Sequence, residues 1–177
     1  FNSSGNVLMD MEPLPVGGYV AVGASEYGGL IIRYSDSGHI IDTDSIPELT
    51  VISGVLPVKD GLIVCGIDGG FEAPRAMMAW VPHFRRKVHL WPLPISTLAF
   101  PMSISSSGDD RMVIAGRTSG PGGISGNLGP QDAFVIRLFT ATGAPDPAFN
   151  HGTPAIIPTL DSETVKRVRV VNGLTIV

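Results

Sequence analysis

This chain is poor in cysteine, in charge and in long apolar runs. Its one cysteine, Cys65, excludes an intrachain disulfide framework. It lies in an apolar run, so it reads as a small core residue and not as a nucleophile. Charged residues are only 16% of the 177, with a net charge of -4 and a pI near 5.4. No broad basic surface is implied, which argues against nucleic-acid binding. A hydrophobic fraction of 44% argues against a disordered tail. No apolar run approaches the roughly 20 residues of a membrane-spanning helix.

Familiar catalytic patterns are missing as well. There is no G-x-S-x-G elbow and no H-E-x-x-H pair. The glycine-rich stretch from Thr118 to Pro130 has Ser125 where a dinucleotide loop would need its last glycine. It also lacks the Gly-Lys-Ser/Thr ending of a phosphate loop. Asp109-Asp110, Asp42 with Asp44, and Asp68 complete no calcium loop, so they read as solvated turns. His83 and His89 have no third ligand suitably spaced for zinc. No metal and no cofactor is expected.

Glycine and proline are abundant, at 22 and 15 residues. Both punctuate turns and break helices, so many short strands are expected. One phrase recurs: Gly18 to Gly23 (GYVAVG), Gly61 to Gly66 (GLIVCG) and Arg111 to Gly116 (RMVIAG). A fourth, Gly173 to Val177 (GLTIV), lacks the closing glycine. The closing glycines Gly23, Gly66 and Gly116 are 43 and 50 residues apart, which suits a constant strand core with variable loops. The residues before them are apolar without alternation, as in a strand covered on both faces. A glycine there fits close backbone approach or a bulge.

A second apolar segment precedes each phrase: Val7 to Leu14, Leu49 to Val58, Leu98 to Ile104 and Val165 to Val171. Turn residues such as Asp60-Gly61 and Asn172-Gly173 join the two, so each repeat opens with a hairpin. A third strand follows at Leu30 to Tyr34, Met77 to Val81 and Phe134 to Leu138. A fourth is expected in some copies, at Val88 to Leu93 and Pro154 to Leu160. Three or four antiparallel strands in such a length match one β-propeller blade. The fold class expected is all-β, consecutive antiparallel blades of a β-propeller in an incomplete ring. The repeats run approximately over 1–46, 47–96, 97–161 and an incomplete 162–177.

The stretch from Asp132 to Gly152 (DAFVIRLFTATGAPDPAFNHG) resembles the bacterial delta-60 repeat, a β-propeller repeat of unknown function. That family has an aspartate-aromatic strand carrying an arginine, then a Gly-x-x-Asp turn and a Phe-Gly or Phe-Asn segment. Leu30 to Asp42 repeats the pattern, with Arg33 and Asp42 matching Arg137 and Asp146. The middle copy departs from it, because Trp80 stands where the arginine should be and the Gly-x-x-Asp turn is missing. The resemblance implies the fold and no established catalytic residues.

Gly23, Gly66, Gly116, Arg33, Arg137, Asp42 and Asp146 therefore read as structural repeat positions. The arginine–aspartate pairs read as ties that hold each blade's turn. The segment from His83 to Trp91 (HFRRKVHLW) is the one dense basic and aromatic cluster. Arg85, Arg86, Lys87 and Trp91, with Arg117 and Asn127 after the third phrase, are the candidate ligand contacts. The function expected is a non-enzymatic binding or scaffold module of a larger bacterial surface or secreted protein. The alternatives are a propeller-fold glycan hydrolase or lyase, and a structural spacer in an adhesin or appendage. Expected partners are the rest of a longer propeller, or further copies closing the ring, together with a glycan or protein ligand.

Overall fold

The computed structural model describes residues 5–69, 74–82, 87–95, 98–108, 110–119, 131–157, 165–171 and 174–176. Among them the chain is all-β, antiparallel throughout, with one 3-10 turn at Asn150–Gly152 and no α-helix.

Three four-stranded sheets follow one another. The first holds β1 (Val7–Pro13), β2 (Tyr19–Ser25), β3 (Gly28–Tyr34) and β4 (Ile40–Ile46), each strand paired with the next. The second holds β5 (Val51–Val58), β6 (Gly61–Asp68), β7 (Arg75–Pro82) and β8 (His89–Pro92) in the same order. The third holds β9 (Ala99–Ser106), β10 (Arg111–Ser119), β11 (Gln131–Phe139) and β12 (Ala155–Ile157). A two-stranded pair follows, β13 (Arg169–Val171) with β14 (Leu174–Ile176). Among the described residues the sheets do not close into a ring.

The expected hairpins and third strands are present. The strand β4 was not expected from sequence. Its segment mixes Asp42, Thr43, Asp44 and Ser45 with isoleucines, and Ile40 and Ile41 are exposed. An edge strand half open to water carries little apolar signal.

The recurring phrase forms the second strand of each sheet, and its unbroken apolar character follows from stacking. On β6, Leu62 and Val64 enter the core shared with the first sheet, beside Val20, Val22 and Ile31. Ile63 and Cys65 enter the core shared with the third sheet, beside Ile104, Ile114 and Phe134. Alternate residues thus bury on opposite faces, which removes the usual polar alternation. On β10, Met112 and Ile114 face the second sheet, while Val113 and Ala115 pack with Val165 and Val168.

The closing glycines serve both expected roles at once. Each lies beside a bulge in the first strand of its sheet, between Leu8 and Asp10, Ile52 and Gly54, and Pro101 and Ser103. A Cβ on Gly23, Gly66 or Gly116 would overlap the carbonyl oxygen of Val7, Val51 or Phe100. Only a residue without a side chain fits where a bulge turns a carbonyl inward.

The first strands of successive sheets lie side by side, β1 against β5, β5 against β9 and β9 against β13. Polar bonds reinforce the series. Asp10 accepts the N–H of Val55 at 3.1 Å, and the Ser53 hydroxyl donates to the Pro101 carbonyl. Arg167 and Arg169 donate to Glu12 at 2.8 and 2.9 Å, joining the last described segments to β1. Burial, and then the neighbouring Asp10, still push the Glu12 carboxyl above its ordinary range.

Candidate functional site: an aromatic groove between two sheets

One repeat position changes its chemistry from sheet to sheet. Gly23, Gly66 and Gly116 pair across strands with Leu30, Met77 and Phe134. Three residues beyond those partners stand Arg33, Trp80 and Arg137. Each meets a residue nine positions later in the chain: Asp42, His89 and Asp146.

In the first and third sheets the pair is an ion pair. Arg33 Nη1 donates to Asp42 Oδ2 at 3.1 Å, between directly paired residues of β3 and β4. Arg137 Nε and Arg111 Nε both donate to Asp146 Oδ2 at 2.8 Å. The other oxygen of Asp146 accepts the Ala148 N–H at 3.0 Å, and the side chain is only 2% exposed. The Ala148 N–H, with the two guanidinium groups, holds this carboxyl below the usual carboxylate range. Arg137 also covers the Phe149 ring, with 5.3 Å to its centroid. The geometry is that of a tie that fixes the turn after β11.

In the second sheet the pair is aromatic. Trp80 on β7 lies opposite His89 on β8, with ring centroids 5.8 Å apart and planes inclined by 37°. Trp91 lies on the same face, its centroid 6.3 Å from that of His89 and its plane inclined by 23°. The three rings form a row along the outer strands, facing the third sheet. Strand alternation puts them there, since Trp80 pairs with Ile63, whose side chain enters the second core.

Beside this row opens a groove of about 770 Å³ between the second and third sheets. Leu56, Ile63 and the three rings form its floor. The wall opposite is made of small residues, Ser106, Gly108 and Ala141. Large rings facing small side chains leave space that the first two sheets fill with Ile, Leu and Val. Lys59 and Asp60 of the β5–β6 turn, with Asp110 and Thr140, provide a polar rim. Asp110 accepts from Arg111 Nη1 at 2.7 Å, and Asp60 makes no ion pair to a described residue. The turn after β11 closes one end: a Cβ on Gly143 would stand 2.6 Å from Met78 Cε and 3.7 Å from the Trp91 ring.

A second cavity, of about 640 Å³, has Arg111, Arg137, Ser106 and Val170 in its wall. Both arginines there already serve Asp146.

The candidate contacts read from sequence separate in space. Trp91 lines the groove. Lys87 is exposed ahead of β8 and does not line it. Arg117 lies on β10 with its guanidinium over the Phe100 ring, 5.0 Å from the centroid. Arg85, Arg86 and Asn127 fall outside the described residues, as does His83. In sequence, Trp80 is only a departure from a pattern and His89 only a possible ligand. Counting nine residues on from Trp80, as from Arg33 to Asp42, is the signal that joins them. Asp60 and Asp110 read as turn residues, and nothing in sequence brings them to one rim.

Cys65 is fully buried, and burial pushes its thiol up to about 12, so it stays protonated and unreactive. Among the described residues no group of three His, Cys, Asp or Glu side chains could hold a metal ion. None of their helices is long and apolar enough to cross a membrane. No protein-family model matches the chain, and no curated protein matches it.

Proposed function

We propose that this chain is a non-enzymatic binding module made of consecutive β-propeller blades, with the aromatic groove as its ligand seat. Three successive four-stranded meanders stacked face to face, with their first strands side by side, support the propeller reading. The resemblance to delta-60 repeats supports a place in a larger bacterial surface or secreted protein. Leu8, Met11 and Tyr19 are 47%, 49% and 43% exposed on the face of the first sheet turned away from the second. A further blade, from the same protein or from another copy, would cover them.

One observation carries the binding role. Where two sheets place an arginine–aspartate tie, the second places Trp80 and His89 beside an open groove. Trp80 and Trp91 also pack against the second core, yet that packing does not call for an exposed His89 or an open groove beside it. Both tryptophans of the chain line this groove, so their fluorescence reports on it alone.

The test is to mix the protein with bacterial polysaccharide and monitor two signals, acrylamide quenching of the tryptophans and release of reducing ends. Protection without release is the expected result. Sugar release would replace the reading with a hydrolase or lyase, in which Asp60 and Asp110 would be the first carboxylates to test. Neither signal would favour a structural spacer.

A further inference from the structure

We propose that the ligand of the groove is a neutral, hydroxyl-rich oligosaccharide. This rests on the reading of the groove as the ligand seat. Sugar rings would lie on the row formed by Trp80, His89 and Trp91, with Asp60 and Asp110 accepting hydroxyl hydrogens.

Ring geometry is the first reason. Neighbouring ring planes are inclined by only 37° and 23°, with centroids 5.8 and 6.3 Å apart, so the rings follow one another along the strands as an aromatic strip and do not converge on one point. A cage for a quaternary ammonium ion needs aromatic faces that converge on one point from several directions. A strip instead suits flat ligands with an apolar face, and a pyranose presents such a face through its axial C–H groups.

The rim gives the second reason. Asp60 and Asp110 are acceptors only, while Ser106 and Thr140 can both donate and accept. Such a rim complements a ligand rich in O–H donors. A proline-rich segment would stack on the same strip, but it offers mainly carbonyl acceptors, because proline has no N–H. It would bring no donor to Asp60 and would leave Asp110 only its bond from Arg111.

Charge and size complete the case. The groove is lined by two carboxylates, Asp60 and Asp110, and one ammonium, Lys59. An anionic saccharide would gain no attraction there. A volume of about 770 Å³ falls within the range of small-ligand sites. It suits a few sugar units along the ring row.

The experiment titrates the intact chain with neutral hexasaccharides (β-1,4-glucan, α-1,4-glucan, β-1,4-mannan and β-1,4-N-acetylglucosamine). Hexagalacturonate and decaproline serve as competing chemistries. Calorimetry reads affinity, and tryptophan emission with acrylamide quenching reads location. At least one neutral hexasaccharide should bind, shift the emission to the blue and protect both tryptophans. Trp91→Ala should weaken that affinity about tenfold, and Trp91→Phe much less, because the phenyl ring keeps a stacking face. Asp60→Asn should weaken it severalfold, and because Asp60 is an exposed turn residue the fold should be kept, as a circular-dichroism melt would verify. Tryptophan protection by hexagalacturonate or decaproline alone would overturn the neutral-saccharide inference and leave the groove as the ligand seat. Saccharide binding that is indifferent to Trp91→Ala and Asp60→Asn would overturn it too. No tryptophan response to any probe would overturn both readings.

Discussion

The interface between the first and second sheets is filled, and the one between the second and third sheets is open at its outer end. Both start from the same parts: an apolar second strand, a bulge beside a glycine, and one strong position on the third strand. In the first sheet that position is Arg33, tied to Asp42, and the core beneath it is continuous from Val20 to Val81. In the second sheet it is Trp80, set against His89, and a groove lies beside it. The difference shows that the repeat separates scaffold from chemistry. Backbone pairing is kept by glycines and bulges, so the side chain at the variable position is free to change.

Breaking the shared scaffold should have the largest effect. Gly66→Ala drives a Cβ into the Val51 carbonyl at a bulge with no room to move. It should cost about 3 kcal/mol, measured by urea unfolding. Gly23→Ala, at the same position of the first sheet, should be similarly severe if the repeat logic is right.

Asp146 should come next, and its effect should depend on pH. Asp146→Asn removes the acceptor shared by Arg111 and Arg137 and should lower Tm at neutral pH. The carboxyl titrates lower in the folded chain than in the unfolded one. Its contribution is therefore complete above the unfolded value of about 3.9, and is lost as pH falls below it. The Tm gap between wild type and variant should be wide at pH 6 and shrink on acidification below about pH 4. Glu12 has the opposite sign, since its folded value is raised. The wild type should therefore gain Tm relative to Glu12→Gln as pH falls from 7 to 4.

The comparison can also be reversed by exchange. Trp80→Arg with His89→Asp writes the tie of the first sheet into the second. The double variant should stay folded, within about 1 kcal/mol of wild type by urea unfolding. It should lose ligand protection of Trp91. If protection survives, the variable position does not define the site.

The smallest effect belongs to the first-sheet tie. Arg33 and Asp42 are 17% and 30% exposed, far more open to water than Asp146. Asp42→Asn should cost about 0.5 kcal/mol. A loss as large as that at Asp146 would mean the ties are equivalent despite their different burial.

Much of the β framework is legible in the order of residues. The apolar phrases and their glycines locate β2, β6 and β10, because a strand covered on both faces needs uninterrupted hydrophobicity. The turn pairs locate the hairpins. The strand β4 escapes because an edge strand with one wet face looks like a loop in composition. The candidate site is legible only in fragments. Trp91 stands out as an aromatic in a basic segment, yet Lys87 nearby is exposed and lies off the groove. Asp60 and Asp110 are 50 positions apart, and only the stacking of two sheets brings their turns to one rim.

The chain's own residues set its period: where strands fall, where glycine is compulsory, and which copy breaks the pattern. Those are local facts, written in spacing and side-chain size. Packing in three dimensions settled the rest. It set Trp80, His89 and Trp91 in a row and put small residues opposite large ones. It also joined Asp146 to Arg111, 35 residues away. Such pairings depend on which faces meet, and a strand's sequence records only that a face is buried, not what it is buried against.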